Sequence, residues 1–96
     1  MDKKIKRILI IGAGEVGNSF VEELHRKPEV HMQVLCIIDD DPKKIGKNID
    51  GVPIVGNRYD IPEAVKLYSI DDIIFAIPSA YGADRQEILN ICRECN

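Results

Sequence analysis

Residues 7–20 read RILIIGAGEVGNSF: four branched apolar residues, Ile8 to Ile11, run straight into Gly12, Gly14 and Gly17 and then into an amphipathic segment. Glycine weakens helices and strands alike, so three of them at one junction mark a place where backbone must approach something closely. An unbroken apolar run before them is how a parallel strand reads when both of its faces are covered. After them, Val16, Phe20 and Leu24 recur at i, i+4 and i+8 with Val21 beside them, which predicts a helix closed by Arg26-Lys27-Pro28.

The rest of the chain repeats that alternation. Val34–Ile38 and Ile73–Ile77 predict two more buried parallel strands, and Val52–Val55 a short one. Asp60-Ile61-Pro62-Glu63 opens a second helix that runs to about Tyr68: Asp60 is placed to cap, Glu63 to reach back, and Pro62 sits where a missing N–H costs nothing. A third helix covers about Ala83–Glu94, with Ile88, Cys92 and Cys95 on one stripe. The stretch 39–51, rich in Asp, Lys, Gly and Asn, reads as a long loop or a loop with one helical turn. This order, β-α-β-loop-β-α-β-α, calls for right-handed crossovers and an α/β fold: a doubly wound, Rossmann-like parallel sheet with strands ordered 3-2-1-4. A chain of 96 residues suits one domain, 1–96. It stops inside its last helix, where such a fold normally supplies another strand. The expectation is therefore a domain truncated at its C-terminus and excised from a larger protein.

Composition narrows the function classes. The chain is 45% hydrophobic and 30% charged, as an ordinary globular domain is, and its formal net charge of −3 argues against general nucleic-acid binding. The basic run Lys3-Lys4-Lys6-Arg7 reads as a solvated lead-in to the first strand. No apolar stretch reaches the roughly 18–20 residues that span a bilayer, and the chain enters a strand too soon after Met1 for a leader. Three irregularly spaced cysteines make no disulfide framework, so a reducing cytoplasm is expected. A membrane enters only through a parent protein.

Gly12-Ala13-Gly14-Glu15-Val16-Gly17 matches G-x-G-x-x-G with the context it needs, a buried strand before and an amphipathic helix after. Gly12 permits the tight turn, Gly14 lets backbone approach a pyrophosphate, and Gly17 lets the helix pack on the strand. The phosphates then sit at the helix N-terminus, where free N–H groups and the macrodipole favour an anion. Asp39 lies 22 residues after Gly17, at the end of the second strand, where a carboxylate accepts from ribose hydroxyls. It repels a 2′-phosphate, Asp40 and Asp41 add to that, and no arginine is close in sequence, so NAD is favoured over NADP. Ile77-Pro78-Ser79 follows the last strand and is expected to form the other wall of the crevice. Ser79 is placed to bond a phosphate or ribose, and Ile77 and Pro78 to cover a base.

These residues resemble a known family. RILIIGAGEVGNSFVEEL, VLCIIDDDPKKIGKNIDGVPIVG and IDDIIFAIPSA, followed by RQEILNICRECN, are similar to a CoA-binding-like Rossmann-type domain of bacterial polysaccharide biosynthesis. It occurs in membrane-linked nucleoside-diphosphate-sugar epimerases and dehydratases of capsule and O-antigen pathways. The resemblance implies a nucleotide-binding role for Gly12, Gly14, Gly17 and Asp39 and a place for Pro78 and Ser79 in the loop after the last strand. It also implies that catalysis lies in another domain: Tyr81 is followed by Arg85 where a Tyr-x-x-x-Lys would have lysine. A second resemblance, to the N-terminal domain of bacterial sugar-nucleotide acetyltransferases, rests on the DDDP…G loop and implies a UDP-sugar ligand. Glu15-Val16 and Ile77-Pro78-Ser79 depart from that pattern.

The remaining signals carry less. Cys92-Arg93-Glu94-Cys95 sits at a helix C-terminus, where the dipole raises rather than lowers a thiol pKa, so it reads as core packing. His25 and His31 read as surface residues, and Lys43, Lys44 and Lys47 as balancing nearby aspartates. The expected function is NAD binding by an accessory domain of a nucleotide-sugar epimerase or dehydratase, with no metal and no catalysis of its own. The alternative is a sensor of a UDP-sugar or CoA, although the 3′-phosphate of CoA would meet Asp39. A homodimer that shields the open sheet edge is a further expectation.

Overall fold

The computed structural model describes residues 4–78 and 82–95. Five strands, β1 (Lys6–Ile11), β2 (Met32–Ile38), β3 (Asn48–Ile49), β4 (Val52–Gly56) and β5 (Asp72–Phe75), form one sheet in the order β3-β4-β2-β1-β5. Four of them are parallel and β3 alone runs antiparallel. Helix α1 (Glu15–Arg26) covers one face, while α2 (Ile61–Leu67) and α3 (Gly82–Glu94) cover the other. This is the expected doubly wound α/β, Rossmann-like fold. No described helix is long and apolar enough to cross a membrane.

The alternation of side chains along β1 explains why both faces need cover. Ile8 and Ile10 point toward α1, where they meet Val21, Val34 and Ile37; Leu9 and Ile11 point the other way, onto Cys36, Ile61, Ala64 and Ile88. All four β1 side chains are essentially inaccessible. Each such aliphatic contributes roughly 1.5–3 kcal/mol, so the central strand is held by burial from both sides.

The parallel strands keep the expected 3-2-1-4 order, but the 39–51 segment holds more than a loop. Asp50 and Gly51 both take positive φ, 51° and 87°. That is what a type I′ hairpin turn requires, and it folds Asn48–Ile49 back as β3 onto the outer edge of β4. The Asp-Gly pair is the sequence signal for this hairpin. His25 fastens it to α1 through Asp50, at 2.6 Å.

Three other expectations change in detail. The last strand ends at Phe75 rather than Ile77: the Ala76 N–H still donates to the Ile11 carbonyl at 2.8 Å, but the residue pairing of β1 with β5 stops at Ile11 and Phe75. Asp60 does not cap α2. Instead, Asn57 and Asp60 form a capping box one turn earlier, around the 3-10 turn Arg58–Asp60: Asn57 accepts from the Tyr59 N–H and Asp60 from the Asn57 N–H. Val16 leaves the core stripe of α1. It lies in the first turn, beyond the carboxyl end of the sheet, and is 47% exposed.

Two of the glycines are demanded by the chain itself. Gly12 has φ 115°, and a Cβ there would stand 2.7 Å from the Ala76 carbonyl oxygen of the β5 exit. A Cβ on Gly17 would collide with the Gly12 carbonyl oxygen, so α1 rests directly on the turn that ends β1.

Arg58 ties the carboxyl ends of the strands together. Its Nε and Nη2 donate to Asp40 Oδ2 at 2.9 and 2.7 Å, and its Nη1 reaches Asp84 Oδ1 at 3.1 Å and Glu87 Oε1 at 3.0 Å. One guanidinium thus joins the exit of β2, the exit of β4 and the first turns of α3. Partial burial pushes the Asp40 carboxyl up, but hydrogen bonds from the Arg58 side chain and N–H and the charge of Arg58 outweigh it, and the net shift is downward.

Two outcomes follow. Gly17→Ala should cost about 1–3 kcal/mol through overpacking, and Gly12→Ala at least as much through its added backbone strain. Gly14→Ala should stay within about 1 kcal/mol; urea unfolding of the three variants checks the ranking. For Asp40 the folded pKa lies below the unfolded one, so its contribution is complete at neutral pH. It is lost as pH falls through the folded value, below about pH 4. Asp40→Asn should therefore flatten the acid limb of the stability curve by about 1 kcal/mol or less, since Asp40 is nearly half exposed.

Candidate functional site

The sheet changes winding direction between β1 and β5, and there a cleft of about 400 Å³ opens beyond the carboxyl ends of the strands. Ligands of doubly wound sheets settle at such switch points. One wall is the glycine turn and the first turn of α1, with Gly12, Gly14, Glu15 and Val16; another is the exit of β2, with Asp39, Asp40 and Lys44; the third is Ala76, Ile77 and Pro78.

Each glycine meets a different environment, and Gly14 alone faces outward among the three. A Cβ built on it meets nothing within 4 Å. Gly14 is also the N-cap of α1, and no side chain caps that helix. The first-turn N–H groups and the positive end of the helix dipole are therefore presented to the cleft beside a backbone stripped of side chain. Such an arrangement can hold an anionic group at close range.

Asp39 is fixed by the structure around it. Its Oδ2 accepts from the Ala13 N–H at 2.8 Å and its Oδ1 from the Asp41 N–H at 2.9 Å, while its own N–H donates to the Gly56 carbonyl at 2.9 Å. The carboxylate therefore locks the glycine turn to the β2 exit. Each oxygen retains a further lone pair for an incoming hydroxyl. Asp40 is held by Arg58, which the sequence did not place near it. The parallel pairing of β2 with β4 does so, because the segment after β4 emerges beside the segment after β2.

Of the residues expected at the crevice, Gly12, Gly14, Glu15, Val16, Asp39, Asp40, Ile77 and Pro78 line it. Ala13 and Gly17 stand behind the wall: both are buried, Ala13 hydrogen-bonded to Asp39 and Gly17 seated against the turn. Ser79, and Tyr81 with it, lies outside the described residues. Lys44, set aside in the sequence as a partner of aspartates, is added to the wall; it reaches Asp39 only at 4.0 Å.

The three cysteines pack in or against the core on the face covered by α2 and α3. Burial pushes the Cys36 thiol up to about 11, and burial also raises Cys92 and Cys95, the opposite of what a reactive C-x-x-C needs. Among the described residues no three His, Cys, Asp or Glu side chains gather in a way that would hold a metal ion.

Known proteins show where this architecture recurs. The chain is 38% identical over 88 residues to the capsular polysaccharide biosynthesis protein CapD of Staphylococcus aureus, a match covering 91% of this chain and 15% of CapD. It thus spans a small part of that relative. The crystal structure of UDP-D-quinovosamine 4-dehydrogenase from Vibrio fischeri superposes with a TM-score of 0.84 at 26% identity, covering 97% of this chain and 73% of that one. The Rex-family repressor RSP, solved in complex with β-NADH, shares the fold at a TM-score of 0.82 and 20% identity, covering 97% of this chain and 43% of that one. The model of the CoA-binding domain family matches residues 2–96, and with the glycine turn, the β2-exit aspartate and the parallel sheet all in place, the chain belongs to that family.

Proposed function

We propose that this chain is the NAD-binding accessory domain of a nucleotide-sugar epimerase or dehydratase of capsule or O-antigen biosynthesis. It is one Rossmann-type domain, 1–96, of a larger cytoplasmic or membrane-anchored protein, and it does no chemistry alone. The observation that carries the reading is Gly14: nothing in the fold asks for a glycine there, yet its bare backbone faces the cleft at an uncapped helix N-terminus. A methyl group at that position would occupy the space into which a pyrophosphate fits, whereas Gly12 and Gly17 are required for folding whatever binds.

The cleft chemistry supports the choice of dinucleotide. Asp39 keeps a lone pair on each oxygen for ribose hydroxyls, and Gly12, Ala13, Gly14, Glu15, Val16 and Gly17 form the phosphate turn. Asp40 adds to the negative charge beside Asp39; Ile77 and Pro78 would cover the adenine or nicotinamide side, and Ser79 is proposed to bond a phosphate or ribose. Arg58 is the arginine that pairs with Asp40, and three carboxylates already engage it. A 2′-phosphate in NADP, or the 3′-phosphate of CoA, would therefore meet anions without a spare guanidinium. The similarity to CapD and to a UDP-sugar dehydrogenase supports the pathway, and RSP, alike in fold, was solved with β-NADH.

Calorimetric titration of the purified chain with NAD, NADP, a UDP-sugar and CoA tests the reading. Saturable NAD binding, weaker NADP binding, and loss of both in Gly14→Ala with its fold intact are expected. Asp39→Ala should also lose NAD. Binding of the UDP-sugar alone would replace this reading by that of a nucleotide-sugar sensor.

A further inference from the structure

We propose that Lys44 is the cation that this cleft sets against the diphosphate of its ligand. The inference rests on the nucleotide-binding reading above and adds to it a residue and a role. It begins with a charge imbalance: the cleft wall carries three carboxylates, Glu15, Asp39 and Asp40, and one cation, Lys44. A diphosphate brings two further negative charges to the N-terminus of α1, where the helix dipole offers the equivalent of only about half a positive charge. Glu15, in the first turn of that helix, opposes even this. Arg58 does not redress the balance, since Asp40, Asp84 and Glu87 already outnumber its charge.

The position of Lys44 suits the task. Its Nζ lies 4.0 Å from Asp39 Oδ2, the same oxygen that accepts from the Ala13 N–H at 2.8 Å, so the ammonium stands over the glycine turn. A pair this long on a side chain 40% exposed makes no hydrogen bond and contributes little. By contrast, Lys27 is engaged with Glu23 at 2.8 Å. The Lys44 backbone is secured: its N–H donates to the Asp41 carbonyl and its carbonyl accepts from the Lys47 N–H, both at 3.0 Å. Only a flexible side chain need turn for the ammonium to leave a loose neighbour and meet a phosphate oxygen.

Chemical-shift titration of the purified chain and of Lys44→Met with NAD, ADP and adenosine, at low and at high salt, tests this. Lys44→Met should weaken NAD and ADP by on the order of tenfold, the size of a lost charge-assisted hydrogen bond, and leave adenosine within about twofold. Lys44→Arg should retain most of the affinity. Salt should weaken ADP binding more in the native chain than in Lys44→Met. Unchanged ADP affinity in Lys44→Met, or an equal loss for adenosine and ADP, would overturn the assignment. If the native chain ignores NAD and ADP but binds a UDP-sugar, the NAD reading fails by itself, and the same comparison with UDP and uridine decides Lys44. Failure of the native chain to bind any of them overturns both.

Discussion

The seating of α1 on the carbonyl of Gly12 is the contact from which the rest of the structure takes its position. It exists only because Gly17 has no side chain to hold the helix away. With α1 pressed onto the turn, Val21 reaches Ile8 and Ile10, and one face of β1 is closed. On the far side of the same turn, Gly12 passes so near Ala76 that the exit of β5 is drawn against the exit of β1. The seam between these two strands is where the sheet changes winding direction, so one close approach sets both the core and the cleft. A methyl group at either glycine would move the helix or the β5 exit, and the cleft walls with it.

Polar atoms then hold what packing brings together. Asp39 uses its two oxygens to tie the glycine turn to the segment after β2, and Arg58 ties that segment to the β4 exit and to α3. The two devices differ in physical character. The Asp39 bonds are short and to backbone, so they define a shape. The Arg58 cluster joins one cation to three anions, all of them nearly half exposed or more, and its worth lies in geometry more than in energy. Together they leave the cleft walled by the carboxylates of Glu15, Asp39 and Asp40.

That division of labour fits a domain that spans only 15% of its Staphylococcus relative. In the proposed function the sheet and its helices are the frame, the glycine turn would hold the anion, and the acidic exits would select among ligands. Burial raises all three thiols.

Much of this was legible in the sequence because it depends on neighbours along the chain. Unbroken apolar runs declare strands covered on both faces, glycine spacing declares the turn, and the place of Asp39 follows from the length of one β-α-β unit. The Asp50-Gly51 hairpin was missed: its Asp-Gly turn signal lay inside a charged segment that read as loop. The capping box at Asn57 was less legible, since Asp60 serves as its acceptor rather than as a cap of its own. What only the tertiary structure decided concerns residues far apart in sequence. The partner of Asp40 is Arg58 because β4 pairs with β2. Val16 faces the cleft because the first turn of α1 overhangs the sheet. Lys44 stands over the glycine turn because Asp39 staples the two segments together. Periodicity reports which way a side chain points within its own element; which charge it meets is settled by the pairing of strands, and that is a property of the whole fold.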